Sequence, residues 1–298
     1  MKNLSLFLAF LLLVAVTACE DYGQDDYQEF YVVESYLIAD QPLGLLSFST
    51  TNPAFEPYIF EEVAIPNARI SVHLMDANTA TTVEQTFTYT ETEIGRYYPD
   101  QPHTILPGRI YELDIQVEEG GNQIRARTII PGDFDLMAEE DQDLVYQSEE
   151  DQLELRLTPS FYPGRQSVYI ISSIAQDVRL ENFTPLYLDF FDEDDDDVED
   201  FRATSSGTLN EGNFTVNADQ TISLDFPWFA IAFFGENDIV VTTIDDNVLD
   251  FVNSQEVQLG GFTVSPGEIQ NLVYNLNGAI GIFGGMTTDT VRTNILRP

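Results

Sequence analysis

The 298-residue chain holds one cysteine, Cys19, and two histidines, His73 and His103, so few of its side chains are equipped for covalent or acid–base chemistry. Cys19 is the best placed of them. Val16-Thr17-Ala18 precede it, one aliphatic residue and two small ones, and residues 4–16 form an apolar run too short to span a bilayer. Lys2 puts a positive charge ahead of that run. This is the pattern of a bacterial lipobox. Its chemistry is transfer of a diacylglyceryl group to the thiol, then cleavage that leaves the cysteine as the first residue. Two or three acyl chains anchor far more firmly than one. The expectation is a signal peptide over residues 1–18 and a mature chain held to the lipid bilayer through acylated Cys19. No later stretch offers eighteen uninterrupted apolar residues for a second anchor.

The histidines lie 30 residues apart, with neither a His-x-His nor a His-Glu-x-x-His spacing and no second cysteine to complete a zinc site. Both read as ordinary surface histidines. A Gly-x-Ser-x-Gly elbow is absent, and beyond Lys2 there is no lysine for Schiff-base or phosphate-loop chemistry. With 51 acids, some carboxylates must fall close together, so a glycosidase-like pair carries no weight. No catalytic, cofactor-binding or metal residues are assigned, and the chain reads as a non-enzyme.

Three further stretches invite a site. Asp192-Glu193-Asp194-Asp195-Asp196-Asp197, extended by Glu199 and Asp200, suggests calcium. Calcium loops alternate their acids and turn on a glycine, however, and here the acids are contiguous with no glycine. A solvated acidic loop with weak, unspecific cation association is expected. Phe226-Pro227-Trp228-Phe229-Ala230-Ile231-Ala232-Phe233-Phe234 holds the single tryptophan and reads as core, with a contact surface around Trp228 as the alternative. Gly278, Gly281, Gly284 and Gly285 lack the Gly-x-Gly start of a nucleotide loop and instead predict tight strand packing or bulges.

Charge narrows the partners. Loss of Lys2 with the signal takes the formal net charge from −39 to −40, which excludes nucleic acid and anionic lipid as partners of a basic surface. A carboxylate-rich, lysine-free surface predicts a protein stabilised by molar salt, where the screening length falls to about 3 Å. Without cysteine beyond Cys19 no internal disulfide forms, and the fold must rest on its core.

The elements that carry these residues read as strands. Residues 30–37, 68–75, 82–90, 95–98, 110–117 and 123–130 are rich in Val, Ile, Tyr, Phe and Thr, and several alternate apolar with polar. In the second of them Ile70, Val72 and Leu74 share one face and Arg69, Ser71 and His73 the other. About seven short strands in some 105 residues predict an immunoglobulin-like β-sandwich over residues 30–132, behind an acidic tether at 19–29. Residues 133–298 predict a second, mostly antiparallel β domain, with strands near 153–157, 167–175, 221–226 and 238–244. One short helix there is capped by Asp245 and runs to about residue 254.

Several motifs in order resemble one family. They are the cysteine, Ala68-Arg69-Ile70-Ser71-Val72, Gly95-Arg96-Tyr97 and Pro107-Gly108-Arg109-Ile110-Tyr111-Glu112-Leu113, followed by a strand ending at Pro131, the segment 246–255, and Asn275-Leu276-Asn277-Gly278-Ala279-Ile280-Gly281-Ile282-Phe283-Gly284-Gly285. Together they resemble the lipoproteins grouped as domain of unknown function 4249, over nearly the whole mature chain. The resemblance implies an outer-membrane lipoprotein with an immunoglobulin-like N-terminal part, often encoded beside TonB-dependent receptors. It brings no activity and no catalytic residues. The acids after Cys19 resemble a signal for display on the cell surface. The sequence therefore predicts a surface-exposed, non-enzymatic accessory of a TonB-dependent receptor, in nutrient uptake or complex assembly. The alternative is a free-standing glycan- or cation-binding surface module, using Trp228 or the 192–200 run.

Overall fold

The computed structural model describes residues 27–53, 56–117, 121–137, 142–147, 152–258 and 273–298. Cys19, the signal segment and most of the tether lie outside the described residues.

The first half carries seven strands, β1 (Tyr31–Ile38), β2 (Leu46–Thr50), β3 (Arg69–Met75), β4 (Val83–Glu93), β5 (Arg96–Pro99), β6 (Ile110–Gln116) and β7 (Gln123–Ile129), with one helical turn, α1 (Phe60–Val63). The second half holds β8 (Gln142–Val145), β9 (Gln152–Leu157), β10 (Val168–Ala175), and helix α2 (Pro185–Phe190). Short strands β11 (Ala203–Ser205), β12 (Leu209–Asn210) and β13 (Thr215–Val216) follow, then β14 (Ile222–Pro227), β15 (Gly235–Ile244), helix α3 (Asp246–Gln258) and the 17-residue β16 (Ile280–Leu296). The all-β class predicted from the sequence is present. The described residues of the second half hold two α-helices where one was expected. The missed one, α2, begins at Thr184-Pro185, and proline at the first helical position is a legible start signal.

A single hydrogen-bonded path, β11-β10-β15-β16-β1-β2-β5-β4-β3-β6-β7, links the two halves. Its β16-to-β7 portion wraps around one core. Val33 and Leu37 of β1, Phe48 of β2, Val72 of β3, Phe87 of β4 and Ile124 of β7 all point into it, joined by Phe283 of β16. The wrap closes where the backbone of Arg125 exchanges hydrogen bonds of 3.1 and 2.8 Å with Asn277. In the second half, β9, β13 and β14 form a separate three-stranded sheet. Its Leu155, Leu157 and Phe226 pack against Tyr169, Ile239 and Val291 of β10, β15 and β16 in a second core. Ile130 belongs to the first core and Phe134 to the second, so the chain passes between them at residues 131–133.

β16 serves both cores. Its N-terminal half runs parallel to β1, from Val32↔Ile280 to Ile38↔Met286, and its C-terminal half is antiparallel to β15. Glycine makes this possible. Gly281 has φ +106°, and a Cβ there would lie 2.1 Å from the Val33 carbonyl oxygen. A Cβ on Gly285 would stand 2.8 Å from Thr128 Oγ1 and 3.0 Å from the Ile129 carbonyl. The glycine motif is thus a packing device, as its spacing predicts.

Candidate functional site

The sequence-predicted residues do not converge. His73 faces outward from β3 and bridges Thr86 Oγ1 (2.9 Å, through Nδ1) and Ser71 Oγ (3.2 Å, through Nε2). His103 is not the plain surface histidine expected. It stacks on Phe87 with ring centroids 4.2 Å apart, and its Nε2 lies 2.8 Å from Tyr111 Oη. Burial, then the nearby Arg109, lowers its pKa. Phe87 and Tyr111 are core residues, so the two imidazoles lie on opposite faces of the sheet.

The acidic run forms an exposed turn whose carboxylates bind their own backbone. Asp196 Oδ2 accepts from Asp192 N (3.0 Å), Asp192 Oδ1 from Asp194 N (3.1 Å), and Asp197 Oδ1 from Glu199 N (3.0 Å). Among the described residues no group of three or more His, Cys, Asp or Glu is placed to hold a metal ion. Trp228 is only 2 % exposed, edge-on to Tyr146 at 5.5 Å, inside the second core. The contact-surface alternative for Trp228 is thereby corrected: an aromatic flanked by Phe226, Phe234 and Tyr146 gains more from burial than a surface ligand could recover. Its neighbour Phe229 is the member of that run left exposed.

Asp245 is a helix cap, as predicted, but it is also fully buried. Its Oδ1 accepts from Val248 N at 2.8 Å, its other oxygen accepts from the Thr128 hydroxyl, and its own N–H donates to the Gly285 carbonyl at 3.0 Å. It therefore joins β7, β16 and α3. Burial raises its pKa to about 6, while Thr128 and the backbone at Val248 and Gly285 pull the other way. The adjacent Asp246 is paired with Arg165, 2.6 Å away.

An array of outward polar groups lies on the face of β4, β3, β6 and β7. Register aligns the side chains into rows. Thr86, His73, Glu112 and Arg127 stand side by side across the four strands, as do Thr88, Ser71, Asp114 and Arg125. A third row runs Arg69, Gln116, Gln123. Internal bonds hold the array in place. Arg127 pairs with Glu112 at 3.0 Å and Arg125 with Asp114 at 3.2 Å, and Gln123 Nε2 donates to Asp114 at 2.6 Å. At the other end Thr88 and Thr90 both donate to Asp100, which lowers that carboxyl's pKa, and exposed Tyr98 pairs with Thr90 on the neighbouring strand. A cavity of about 500 Å³ opens over β6 and β7, with His73, Glu112, Arg127 and Asn275 among its walls. Asn275 is fixed by accepting from Phe283 N (3.1 Å) and donating to its carbonyl (2.7 Å). This plate was half legible in the sequence. The polar phase of each strand shows as alternation, but the strand order that assembles the rows does not.

Elsewhere the arginines are engaged internally. Arg109 pairs with Glu84, Arg156 with Asp219, Arg202 with Glu199 and Arg292 with Asp238. Arg297 lies over the Phe234 ring at 4.5 Å. Positive charge is used within the fold, and the outward field is that of the acids.

Alignments to solved structures are long but shallow. A chimeric titin Z1Z2 carrying an exogenous decorin peptide aligns over 91 % of this chain and 96 % of its own, at 7 % identity and a TM-score of 0.20. The titin I-band fragment I67–I69 gives 91 % and 65 %, 9 % identity and 0.22. Protocadherin gamma B2 cadherin domains 3–6 give 92 % and 51 %, 11 % identity and 0.20. Scores this low carry no inference about fold or role. No curated protein matches the chain. One family model does, the Domain of unknown function (DUF4249), over residues 20–292. With nearly all of the sequence covered, the chain belongs to the DUF4249 family.

Proposed function

We propose that the protein is a non-enzymatic lipoprotein, anchored in the outer membrane through acylated Cys19 and facing the medium. It acts as an accessory of a TonB-dependent receptor, in nutrient uptake or in assembly of the receptor complex. The observation that carries this reading is the Val16-Thr17-Ala18-Cys19 lipobox at the end of an apolar run, with the family match starting at residue 20, directly behind the thiol. Supporting it, the folded body is strongly acidic and its cationic side chains are occupied internally, so attachment to an anionic membrane falls to the lipid alone. The test is metabolic labelling with an alkyne fatty acid. Label should enter the wild-type protein and be lost in Cys19→Ser, which should leave the membrane fraction. Equal membrane retention of the two proteins would overturn the anchor.

A second reading, a ligand-binding module, is favoured by the polar plate. The buried Trp228 and the self-bonded acidic turn do not serve that reading, whereas the face of β3, β6 and β7 does.

A further inference from the structure

We infer that the outer face of β4, β3, β6 and β7 is a binding site for a neutral, polyhydroxylated ligand, a short oligosaccharide in chemical class. The inference takes from the proposed function only that the chain is a binding protein facing the medium.

Charge selects the class first. Arg69, Arg125 and Arg127 are matched on this face by Asp100, Glu112 and Asp114, so its formal charge is zero with histidine counted neutral, in a chain whose formal charge is −39. A cation is drawn more strongly to the rest of the molecule than to this plate. An anion is repelled on approach and finds the guanidiniums of Arg125 and Arg127 already facing carboxylates. A neutral polar ligand meets neither obstacle.

Hydrogen-bonding chemistry narrows the class further. Adjacent hydroxyls of a sugar donate and accept at once. The plate supplies the complement at neighbouring positions, with carboxylates on β6 that accept and guanidinium and amide groups on β7 that donate. Threonine hydroxyls on β4 extend the array. Neighbouring strands stand about 4.8 Å apart and alternate residues about 6.8 Å, so four strands by three rows span roughly 14 by 14 Å, room for two or three sugar rings. The internal ion pairs fix the long side chains before the ligand arrives, which lowers the entropy lost on binding.

Shape supplies two more features. The cavity of about 500 Å³ at the β6–β7 end is walled on one side by Asn275, whose amide is held by Phe283. At the opposite end Tyr98 is 45 % exposed and offers an aromatic face on which the apolar side of a sugar ring can lie. Among the described residues of β3, β4, β6 and β7 the one exposed large apolar side chain is Val83, at the start of β4, so a protein partner would find few of the buried anchors that protein interfaces depend on.

The test is calorimetric titration of the detergent-solubilised mature protein with short neutral oligosaccharides cut from β-glucan, xylan and mannan, beside oligogalacturonate as the acidic counterpart. At least one neutral series should bind more tightly than about 1 mM. Arg125→Ala and Arg127→Ala should each weaken it by roughly tenfold or more with little change in melting temperature, because both side chains are largely exposed. Tyr98→Ala should weaken it less, and Phe229→Ala, off the plate, should leave it unchanged. Three outcomes would overturn the inference: no neutral oligosaccharide binding in that range, binding indifferent to the plate variants, or a preference for oligogalacturonate. Fatty-acid labelling of Cys19 is read separately, so failure of the anchor and failure of the glycan site are distinguishable.

Discussion

Replacing Asp245 by asparagine should stabilise the protein at neutral pH. The carboxyl is fully buried where β7, β16 and α3 meet, and its folded-state pKa is raised from 3.8 to about 6. Below about pH 3 the group is protonated in both the folded and unfolded chains and contributes nothing to pH dependence. As pH rises towards 6 the unfolded chain releases the proton while the folded chain keeps it, so stability falls. Above that the deficit is constant, at about 3 kcal/mol from roughly two pKa units at 1.36 kcal/mol each. Near pH 5 only about half of it has developed. Asparagine is close in shape to the protonated acid: it can accept from Val248 N and donate to Thr128 Oγ1. Denaturant unfolding followed by Trp228 fluorescence, in about 1 M salt to screen the surface acids, gives the comparison directly. Asp245→Asn should exceed wild type by up to about 3 kcal/mol near pH 7.5, with the gain roughly halved near pH 5. If the variant is destabilised equally at both pH values, the carboxylate is a favourable hydrogen-bond acceptor at this junction and the burial argument is wrong.

Three other outcomes are expected. Melting temperature should rise from dilute buffer to about 2 M sodium chloride, because the acids that dominate the surface are screened; a flat or falling curve would remove the proposed adaptation to salt. Gly281→Ala should cost more than about 3 kcal/mol or prevent folding, since its Cβ would meet the Val33 carbonyl at 2.1 Å in a left-handed backbone. Gly108→Ala tests the contribution of a left-handed backbone alone: it has φ +69° with nothing within 4 Å of the added carbon, so it should cost much less.

Strands with strict alternation were legible from sequence because one face of each is buried. β3, predicted at 68–75, runs Arg69–Met75, and β7, predicted at 123–130, runs Gln123–Ile129. The pairing of β1 with β16 was not legible, because nothing local connects Val32 with Ile280 across 248 residues. The glycines showed that something packs closely there, without showing what. β8, β11, β12 and β13 span two to four residues each, too few for a period to register. Asp245 shows the same limit from the other side. Its capping role follows from its place before an apolar helical run, but its burial depends on Thr128 and Gly285, which only the long-range fold brings to it. The plate is the clearest case: its polar residues are visible strand by strand, and it becomes a site only in the order β4-β3-β6-β7.

The accessory role is tested most directly by affinity purification of the tagged lipoprotein from gently solubilised outer membranes, with mass spectrometry of the accompanying proteins. Cross-linking there needs photo- or carboxyl-reactive reagents, because Lys2 is the single lysine and is expected to leave with the signal. A TonB-dependent receptor recovered in stoichiometric amount is the predicted result. Recovery of the lipoprotein alone, with and without cross-linking, would contradict it.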